Sequence, residues 1–190
     1  MSNLFNPFRY VAGYKSLAWG VVFIVATSLM LWSGGMIQDG YVHYAPYVAS
    51  YWKTLYAEVV FWLLPSLLLM LCGWVLTSSK IRVVDIFGTI AFSHLATIPM
   101  VAIMVMPKIQ AMLNGLLLSV QSGNMPNNDD KGIIVVLGIV MLLCLALFYI
   151  WSYKAYSVSC NVRGWRAVTT FIAVQILCTL FGSLLLLPLV

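Results

Sequence analysis

Charge is what this sequence has least of, since only 8% of its 190 residues are Asp, Glu, Lys or Arg. Soluble domains are typically about 25% charged and about 45–50% apolar, whereas 63% of this chain is hydrophobic. A water-soluble core cannot absorb this much apolar surface in so short a chain. The composition therefore excludes an ordinary soluble domain and predicts a polytopic membrane protein.

The motifs of common enzymes and metal sites are missing too. The sequence contains no HExxH, no GxSxG, no phosphate-binding loop, no Gly-rich dinucleotide turn and no paired intramembrane aspartates. Its four cysteines show neither CxxC nor Cys/His spacing, so a disulfide framework or a zinc site is not supported. The basic residues behind the net charge of +5 form no run dense enough to bind nucleic acid. We therefore expect no catalytic residues, no metal, no cofactor and no nucleic-acid partner.

What the sequence does have is apolar runs, each close to the roughly 20 residues that a helix needs to cross a bilayer. They cover residues 16–37, 55–77, 86–106, 132–153 and 167–189. Most tryptophans lie at or near the ends of these runs, where amphipathic rings prefer the headgroup level. The predicted fold is all-α: residues 1–190 form a single domain, a bundle of five transmembrane helices.

Basic residues set the predicted orientation of the bundle. With the N-terminus in the cytoplasm, the cytoplasmic side holds seven of them: Arg9, Lys15, Lys80, Arg82, Lys154, Arg163 and Arg166. The opposite side holds three: Lys53, Lys108 and Lys131. This bias follows the positive-inside rule. Five spans then place the C-terminus on the side opposite the cytoplasm.

Two of the connecting segments are long. Residues 34–54 are rich in tyrosine and can fold as an interfacial helix over the mouth of the bundle. Residues 107–132 begin as an amphipathic stretch, which can prolong the third helix, and end in a polar, turn-rich patch.

The third predicted span carries polar residues at every fourth position: Asp85, Thr89, Ser93 and Thr97. On a helix this spacing stacks them along one face. Gly88 and Ala91, beside this stripe, permit close approach of another helix. The hydroxyls can hydrogen-bond to carbonyls one turn back or to a neighbouring helix. Asp85, at the start of the helix, interacts favourably with the positive N-terminal end of the helix dipole. We therefore assign Gly88, Thr89 and Ala91 to a helix-packing face.

His94 and two prolines suggest a polar site in the membrane. His94 lies about 13 Å from the cytoplasmic end of its span at 1.5 Å per residue. Ionisable residues at such depths usually face a protein interior or a water-filled cavity, although a neutral imidazole bonded to a hydroxyl is a frequent structural solution. Pro99 and Pro65, which precedes Ser66, each free a backbone carbonyl. If Pro65 and His94 lie at similar depths, two interrupted helices can form a binding site, or two kinks can simply fit the bundle.

Glu58 is the other acid of interest inside an apolar run. We predict it near the outer end of the second span, at the depth of residues 102–104. An interfacial glutamate would reach water, whereas a buried one that holds a proton would serve proton movement. The candidate intramembrane polar site is therefore His94, Ser93, Thr97, Pro99, Pro65, Ser66 and Glu58.

The sequence resembles the Ypt-interacting-protein (Yip) family, and more closely its compact bacterial members, in three stretches: "NLFNPFRYVAGYKSL", "DGYVH" and "VVDIFGTIAFSHLATIP". The clearest shared feature is a polar-then-Gly entry into a span that ends in proline, here Asp85, Gly88 and Pro99. The resemblance implies five spans and a bacterial inner membrane. Eukaryotic relatives associate with Rab-type GTPases, but this chain lacks their long cytoplasmic N-terminal region and full Asp-Leu-Tyr-Gly-Pro motif. The bacterial members have no known function as a class, so no catalytic residues carry over.

We interpret the chain as a non-enzymatic integral membrane protein that organises membrane, handles lipid or scaffolds other proteins. Membrane lipids, a second copy of itself or other membrane proteins are the expected partners. The alternative is a small oligomeric transporter or channel with a polar centre around His94, because a pore through one five-span protomer is cramped. A hydrated cavity at His94 and Glu58 would favour transport, and a dry, packed stripe would favour the scaffold.

Overall fold

Helices dominate the computed structural model, which describes residues 7–40, 43–47, 50–78, 80–121 and 128–186. A short 3₁₀ turn, Pro7–Arg9, precedes the first helix. The remaining elements in chain order are α1 (Tyr14–Ser33), β1 (Met36–Gln38), β2 (Tyr44–Pro46), α2 (Tyr51–Leu76), α3 (Val83–Ser93), a second 3₁₀ turn (His94–Ala96), α4 (Ile98–Met104), α5 (Pro107–Gln121), α6 (Asn128–Ser159) and α7 (Trp165–Leu186).

Four of the described helices are long and apolar enough to cross a membrane: Tyr14–Ser33, Tyr51–Leu76, Gly132–Ser159 and Trp165–Gly182. Val83–Ala96 and Ile98–Met104 pass the same test together but are bent by 43° relative to each other. The helical, membrane-type bundle predicted from the sequence is confirmed, with four spans, or five if the bent pair is one span. α6 continues past the predicted end at residue 153, because helical hydrogen bonding extends into a polar stretch that hydropathy does not detect.

Residues 34–54 contain a β-hairpin, so the interfacial helix considered for this segment is wrong. β1 and β2 pair antiparallel, with Met36 opposite Pro46 and Ile37 opposite Ala45. Glycine and proline disfavour a helix here: Gly35 has a φ of 63°, in the left-handed region. All three residues of β1 are buried, so the hairpin covers one end of the bundle.

α5 is a helix of its own and not a continuation of the third span. The chain leaves helical geometry at Met106, and Pro107 then occupies the first position of α5, where a missing N–H costs nothing. The side chain of Gln110 donates from Nε2 to the carbonyl of Gly34 at 2.8 Å, which attaches α5 to the end of α1. The polar patch predicted after α5 falls largely on residues 122–127, outside the described residues.

Small residues let α1 and α3 pack closely and in parallel. A Cβ added at Gly20 would lie 2.7 Å from the Ala91 carbonyl carbon, and one added at Gly88 would lie 2.7 Å from Ser16 Oγ. Ser16 lies beside Gly88 and Gly20 lies beside Ala91, so the two helices run in the same direction. Such close contacts are typical of membrane helices, in which small residues allow backbones to approach.

Helix directions divide the bundle into two ends. α6 runs antiparallel to α3, because the Ser93 hydroxyl lies opposite that of Ser152 while Thr89 lies opposite Ser159. α2 is antiparallel to α3 as well. We call the end with the hairpin and the start of α2 the hairpin end, and the end where α2 stops and α3 starts the loop end.

Candidate functional site

His94 lies at the break in the third span. It opens the 3₁₀ turn between α3 and α4, and its carbonyl accepts the Thr97 N–H at 3.0 Å and the Thr97 hydroxyl at 2.8 Å. Pro99, at the start of α4, has no N–H to continue the α-helical ladder across this turn. His94 is 4% exposed, and its imidazole contacts the Phe148 ring edge-on, with centroids 5.5 Å apart.

Glu58, from α2, faces His94 inside the bundle. Its Oε2 is 4.0 Å from His94 Nδ1, and Glu58 is 0% exposed. Two ionisable side chains therefore meet where the apolar helices pack together. Membrane-embedded ionisable residues are rare and usually pair with one another when they face a bundle interior.

The contact corrects the predicted depths, which placed Pro65 level with His94 and Glu58 level with residues 102–104. The connection between α2 and α3 turns back along α2, as shown by Ile81, whose Cδ1 lies beside Gly73. α3 therefore starts further from the loop end than α2 stops. This offset brings His94 opposite Glu58, about two helical turns from Pro65.

Several polar atoms around this pair lack hydrogen-bond partners. They are both carboxyl oxygens of Glu58, Nε2 of His94 and Oγ1 of Thr54. The 4.0 Å separation of the pair is too long for a hydrogen bond. Buried polar groups in proteins are nearly always bonded, so the Glu58–His94 pair is an unusual feature of the interior, as are Tyr156 and Gln175, which also have buried side-chain atoms without partners.

Burial constrains the protonation of the pair. An isolated charge in a low-dielectric interior is strongly disfavoured unless it is paired. The pair has no net charge when it holds a single proton, either on the carboxyl with a neutral imidazole or on the imidazole beside a carboxylate. Burial therefore favours the states in which Glu58 and His94 together hold one proton.

The hydroxyl stripe of α3 is engaged in packing. The Thr89 hydroxyl donates to the Asp85 carbonyl at 2.6 Å and lies 3.2 Å from the Ser159 hydroxyl of α6. The Ser93 hydroxyl donates to the Ile90 carbonyl at 2.6 Å and lies 3.0 Å from the Ser152 hydroxyl. Gly88 and Ala91 face α1 instead. Thr89, Ser93 and their neighbours thus join three helices, while Asp85 sits in the first turn of α3.

Pro65 and Ser66 belong to an unbroken helix. α2 is helical from Tyr51 to Leu76 with Pro65 inside it, and the Ser66 hydroxyl donates to the Trp62 carbonyl at 2.7 Å. Of the two alternatives, a binding site between two interrupted helices is therefore excluded, because α2 is not interrupted at Pro65. Proline 65 is tolerated because it removes a single N–H, and the adjacent hydroxyl bonds within the helix.

No protein family, curated protein or solved structure matches the chain.

Thr54 is the residue that sequence reasoning missed. It is 0% exposed and lies one turn before Glu58 on the same face of α2. Its signal is the spacing of four between a threonine and an acid, at a position just outside the predicted second span, which begins at residue 55. Trp62, a deep tryptophan away from the span ends, is explained by its Nε1–H, which donates to the Phe87 carbonyl at 2.9 Å.

The described part of the chain lacks a cluster of side chains suited to holding a metal ion. The described residues contain no group of three or more His, Cys, Asp or Glu side chains placed to hold an ion. Glu58 and His94 provide two such side chains.

Proposed function

We propose that the chain is a non-enzymatic, five-span membrane protein that works as a small oligomeric proton-coupled transporter or channel. The α3 hydroxyls are packed against α6, and the cavities beside the hairpin and along α6 are lined by residues other than Glu58 and His94, which is the arrangement expected of a scaffold. The observation that carries the transport proposal is instead the buried Glu58–His94 pair at the break of the third span. Broken helices at the membrane midplane commonly hold substrate or coupling-ion sites. Glu58 and His94 bind the coupling proton in this proposal.

The break between α3 and α4 is where protonation of the pair can change the conformation of the bundle. His94 belongs to the 3₁₀ turn itself, and α3 and α4 meet there at 43°. A change in the protonation of the pair alters the attraction between α2 and this turn, so the angle between α3 and α4 responds. The conformational change is thereby biased by differential proton binding.

The orientation of the bundle is part of the proposal. The loop end is cytoplasmic, because Arg82, Arg163 and Arg166 lie beside its helix ends, whereas Lys53 and Lys108 lie at the hairpin end. The membrane is the inner membrane of a bacterium, and its lipids are the immediate partners.

Proton flux across liposomes tests the function. Wild-type protein should dissipate an imposed pH gradient, monitored with an entrapped pH-sensitive dye, faster than protein-free liposomes. Glu58→Gln and His94→Gln should reduce the flux to the protein-free level, because neither amide exchanges a proton near neutral pH. Ser66→Ala, whose hydroxyl bonds within α2, is the matched control and should conduct normally. Equal flux through wild type and Glu58→Gln would exclude the proposal.

A second candidate function, membrane organisation through self-association, is favoured by α6. Only 6% of the residues in its membrane window are buried, compared with 33% in each of the other three long spans. Ile139, Leu142 and Leu143 are more than half exposed, and a second copy of the chain is the occupant proposed for this face. The Yip resemblance at Asp85, Gly88 and Pro99 stays a prediction and points the same way.

Cross-linking in the native membrane tests this second function. In a cysteine-free background, Leu142→Cys should form an oxidant-induced dimer. Ile176→Cys, on the exposed side of α7, is the control and should not. Dimers at both positions in proportion to expression level would indicate random collision and contradict a specific α6 interface.

A further inference from the structure

We infer that the groove between α2 and α7 at the loop end is a binding site for one anionic phospholipid. An acyl chain of this lipid lies in the groove, and Arg166 binds its phosphate. The inference goes beyond the proposed function, because it involves neither Glu58 nor His94 and needs only that α2 and α7 span the membrane.

The groove is apolar and faces outwards. It has a volume of about 300 Å³ and is lined by residues from the last turns of α2 and by one residue of α7: Leu71, Cys72, Val75, Leu76 and Thr170. Val75 is 86% exposed, so the groove opens on the outer surface of the bundle. The medium outside a span is hydrocarbon, so a lipid tail rather than water fills this groove.

The groove ends where α2 ends. α2 and α7 are antiparallel, because Phe61 lies beside Gly182 whereas Cys72, further along α2, shares the groove with Thr170, near the start of α7. The last turn of α2 and the first turn of α7 are therefore at the same level, at the loop end.

Two tryptophans place this level among the lipid headgroups. Trp74, in the last turn of α2, is 51% exposed, and Trp165, the first residue of α7, is 73% exposed. Amphipathic indole rings on the outside of a bundle prefer the headgroup level. A lipid whose tail occupies the groove therefore has its phosphate close to the start of α7.

Arg166 supplies a positive charge at that start. Its carbonyl accepts the Thr170 hydroxyl at 2.7 Å, so the two residues are one turn apart on the same face of α7. Arg166 is about 6 Å closer to the loop end than Thr170, at 1.5 Å per residue. Arginine can lay its methylene groups along apolar surface while its guanidinium reaches the headgroups, and a guanidinium binds phosphate through two parallel hydrogen bonds.

The helices next to α7 provide no acid for Arg166. α7 packs against α2 and α6. The acid of α2, Glu58, is buried opposite His94, and the acids of α6, Asp129 and Asp130, lie at the start of that helix, away from the loop end. Within the described residues the guanidinium makes no ion pair. Basic pockets between spans bind anionic headgroups, and the charge of Arg166 is available for this role.

Photo-cross-linking tests the site. The protein is reconstituted into phosphatidylcholine vesicles that contain a small fraction of phosphatidylglycerol with a diazirine on its acyl chain. After illumination, peptide mass spectrometry should locate adducts concentrated on residues 71–76 and on Thr170. The same diazirine on phosphatidylcholine should label the groove several-fold less, while both probes label the exposed face of α6 equally.

Variants separate the charge from the groove. Arg166→Gln should lower the yield of groove adducts from the anionic probe by about fivefold, the contribution expected of one basic residue at a membrane surface. Lys15→Gln is the matched control, because it removes a charge from the same end of the bundle on α1, which packs against α2 and α3. Val75→Trp fills the groove from an exposed position and should abolish its adducts, whereas Val135→Trp, on the exposed side of α6, should not.

Three results would overturn the inference. Equal labelling of the groove by the two probes, or unchanged labelling in Arg166→Gln, would show that the groove accepts any lipid tail. Labelling by neither probe would show that another protein surface, such as a second copy of the chain, fills it. Suppression by glycerol phosphate as strong as that by unlabelled phosphatidylglycerol would show a site for free phosphate and not for lipid.

Discussion

At the scale of single residues, the Glu58–His94 contact accounts for two ionisable side chains whose burial among apolar residues costs free energy. Neither side chain reaches water, and each provides the other's polar neighbour inside the bundle. A buried pair is not in itself evidence for stability, because desolvation opposes the attraction, yet removing one partner alone is destabilising. The energetic coupling between the two residues is therefore the quantity to measure.

A double-mutant cycle should reveal this coupling. Glu58→Leu and His94→Leu should each lower the free energy of unfolding by about 1–3 kcal/mol, since each leaves a buried polar group alone. The double variant should be more stable than the sum predicts, by about 0.5–3 kcal/mol. Unfolding in mixed detergent micelles measures all four proteins. Glu58→Leu combined with Ser66→Ala, two turns away, is the control and should be additive; additivity in the main cycle would contradict a direct interaction.

Cys160, the first residue after α6, offers a test of burial at the residue scale. It is 0% exposed, and burial raises the pKa of its thiol to about 12. The thiolate is the form that reacts with maleimides. Alkylation of Cys160 at pH 7.5, followed by peptide mass spectrometry, should be about tenfold or more slower in the folded than in the denatured protein, because the folded thiol is both inaccessible and protonated. Equal rates in the two states would contradict its burial.

At the scale of elements, the parallel contact of α1 with α3 fixes where the break in the third span lies. Gly20→Ala should destabilise the protein by about 1–3 kcal/mol, because the new methyl overlaps Ala91 and the α3 backbone. Gly138→Ala is the matched control: nothing lies within 4 Å of a Cβ there, so better helix propensity should leave it neutral or up to about 1 kcal/mol more stable. Thermal unfolding in detergent measures both. A Gly20→Ala protein as stable as Gly138→Ala would be incompatible with the packing described.

Sequence patterns predicted the apolar helices well and their mutual depths poorly. Apolar runs locate α1, α2, α6 and α7 because the length of a span is dictated by the bilayer. The offset between α2 and α3 depends on how the connecting residues pack, here Ile81 beside Gly73, and no periodicity encodes that. The pairing of Glu58 with His94 could therefore not be predicted, although both residues stand out in the sequence as ionisable side chains within apolar runs.

Other features failed for local reasons. The hairpin formed by β1 and β2 involves three residues a strand, too few for an alternating pattern to stand out from a tyrosine-rich loop. Thr54 escaped notice because the predicted second span began at residue 55, whereas α2 begins at Tyr51. The packing role of Thr89, in contrast, followed directly from spacing by four residues.

At the scale of the whole molecule, the bundle has two chemically different ends, and their assignment to membrane sides is testable. In a cysteine-free background, Lys108→Cys at the hairpin end should react with a membrane-impermeant maleimide in intact cells. Arg163→Cys at the loop end should react only after permeabilisation, because basic residues remain on the cytoplasmic side. Both positions are exposed. The reverse labelling pattern would show that the bundle is inverted.

In the proposed function, proton movement through the membrane depends on the carboxyl of Glu58. A hydrophobic carbodiimide enters apolar interiors and adds to a protonated carboxylic acid, which then can no longer exchange its proton. Reconstituted protein treated for increasing times should carry the adduct at Glu58, as identified by peptide mass spectrometry.

The decisive measurement is the proton flux of these liposomes plotted against the fraction of chains modified at Glu58. Flux should fall linearly to the protein-free level at complete modification, and Ser66→Ala should follow the same line. Flux that persists in fully modified protein would contradict this expectation.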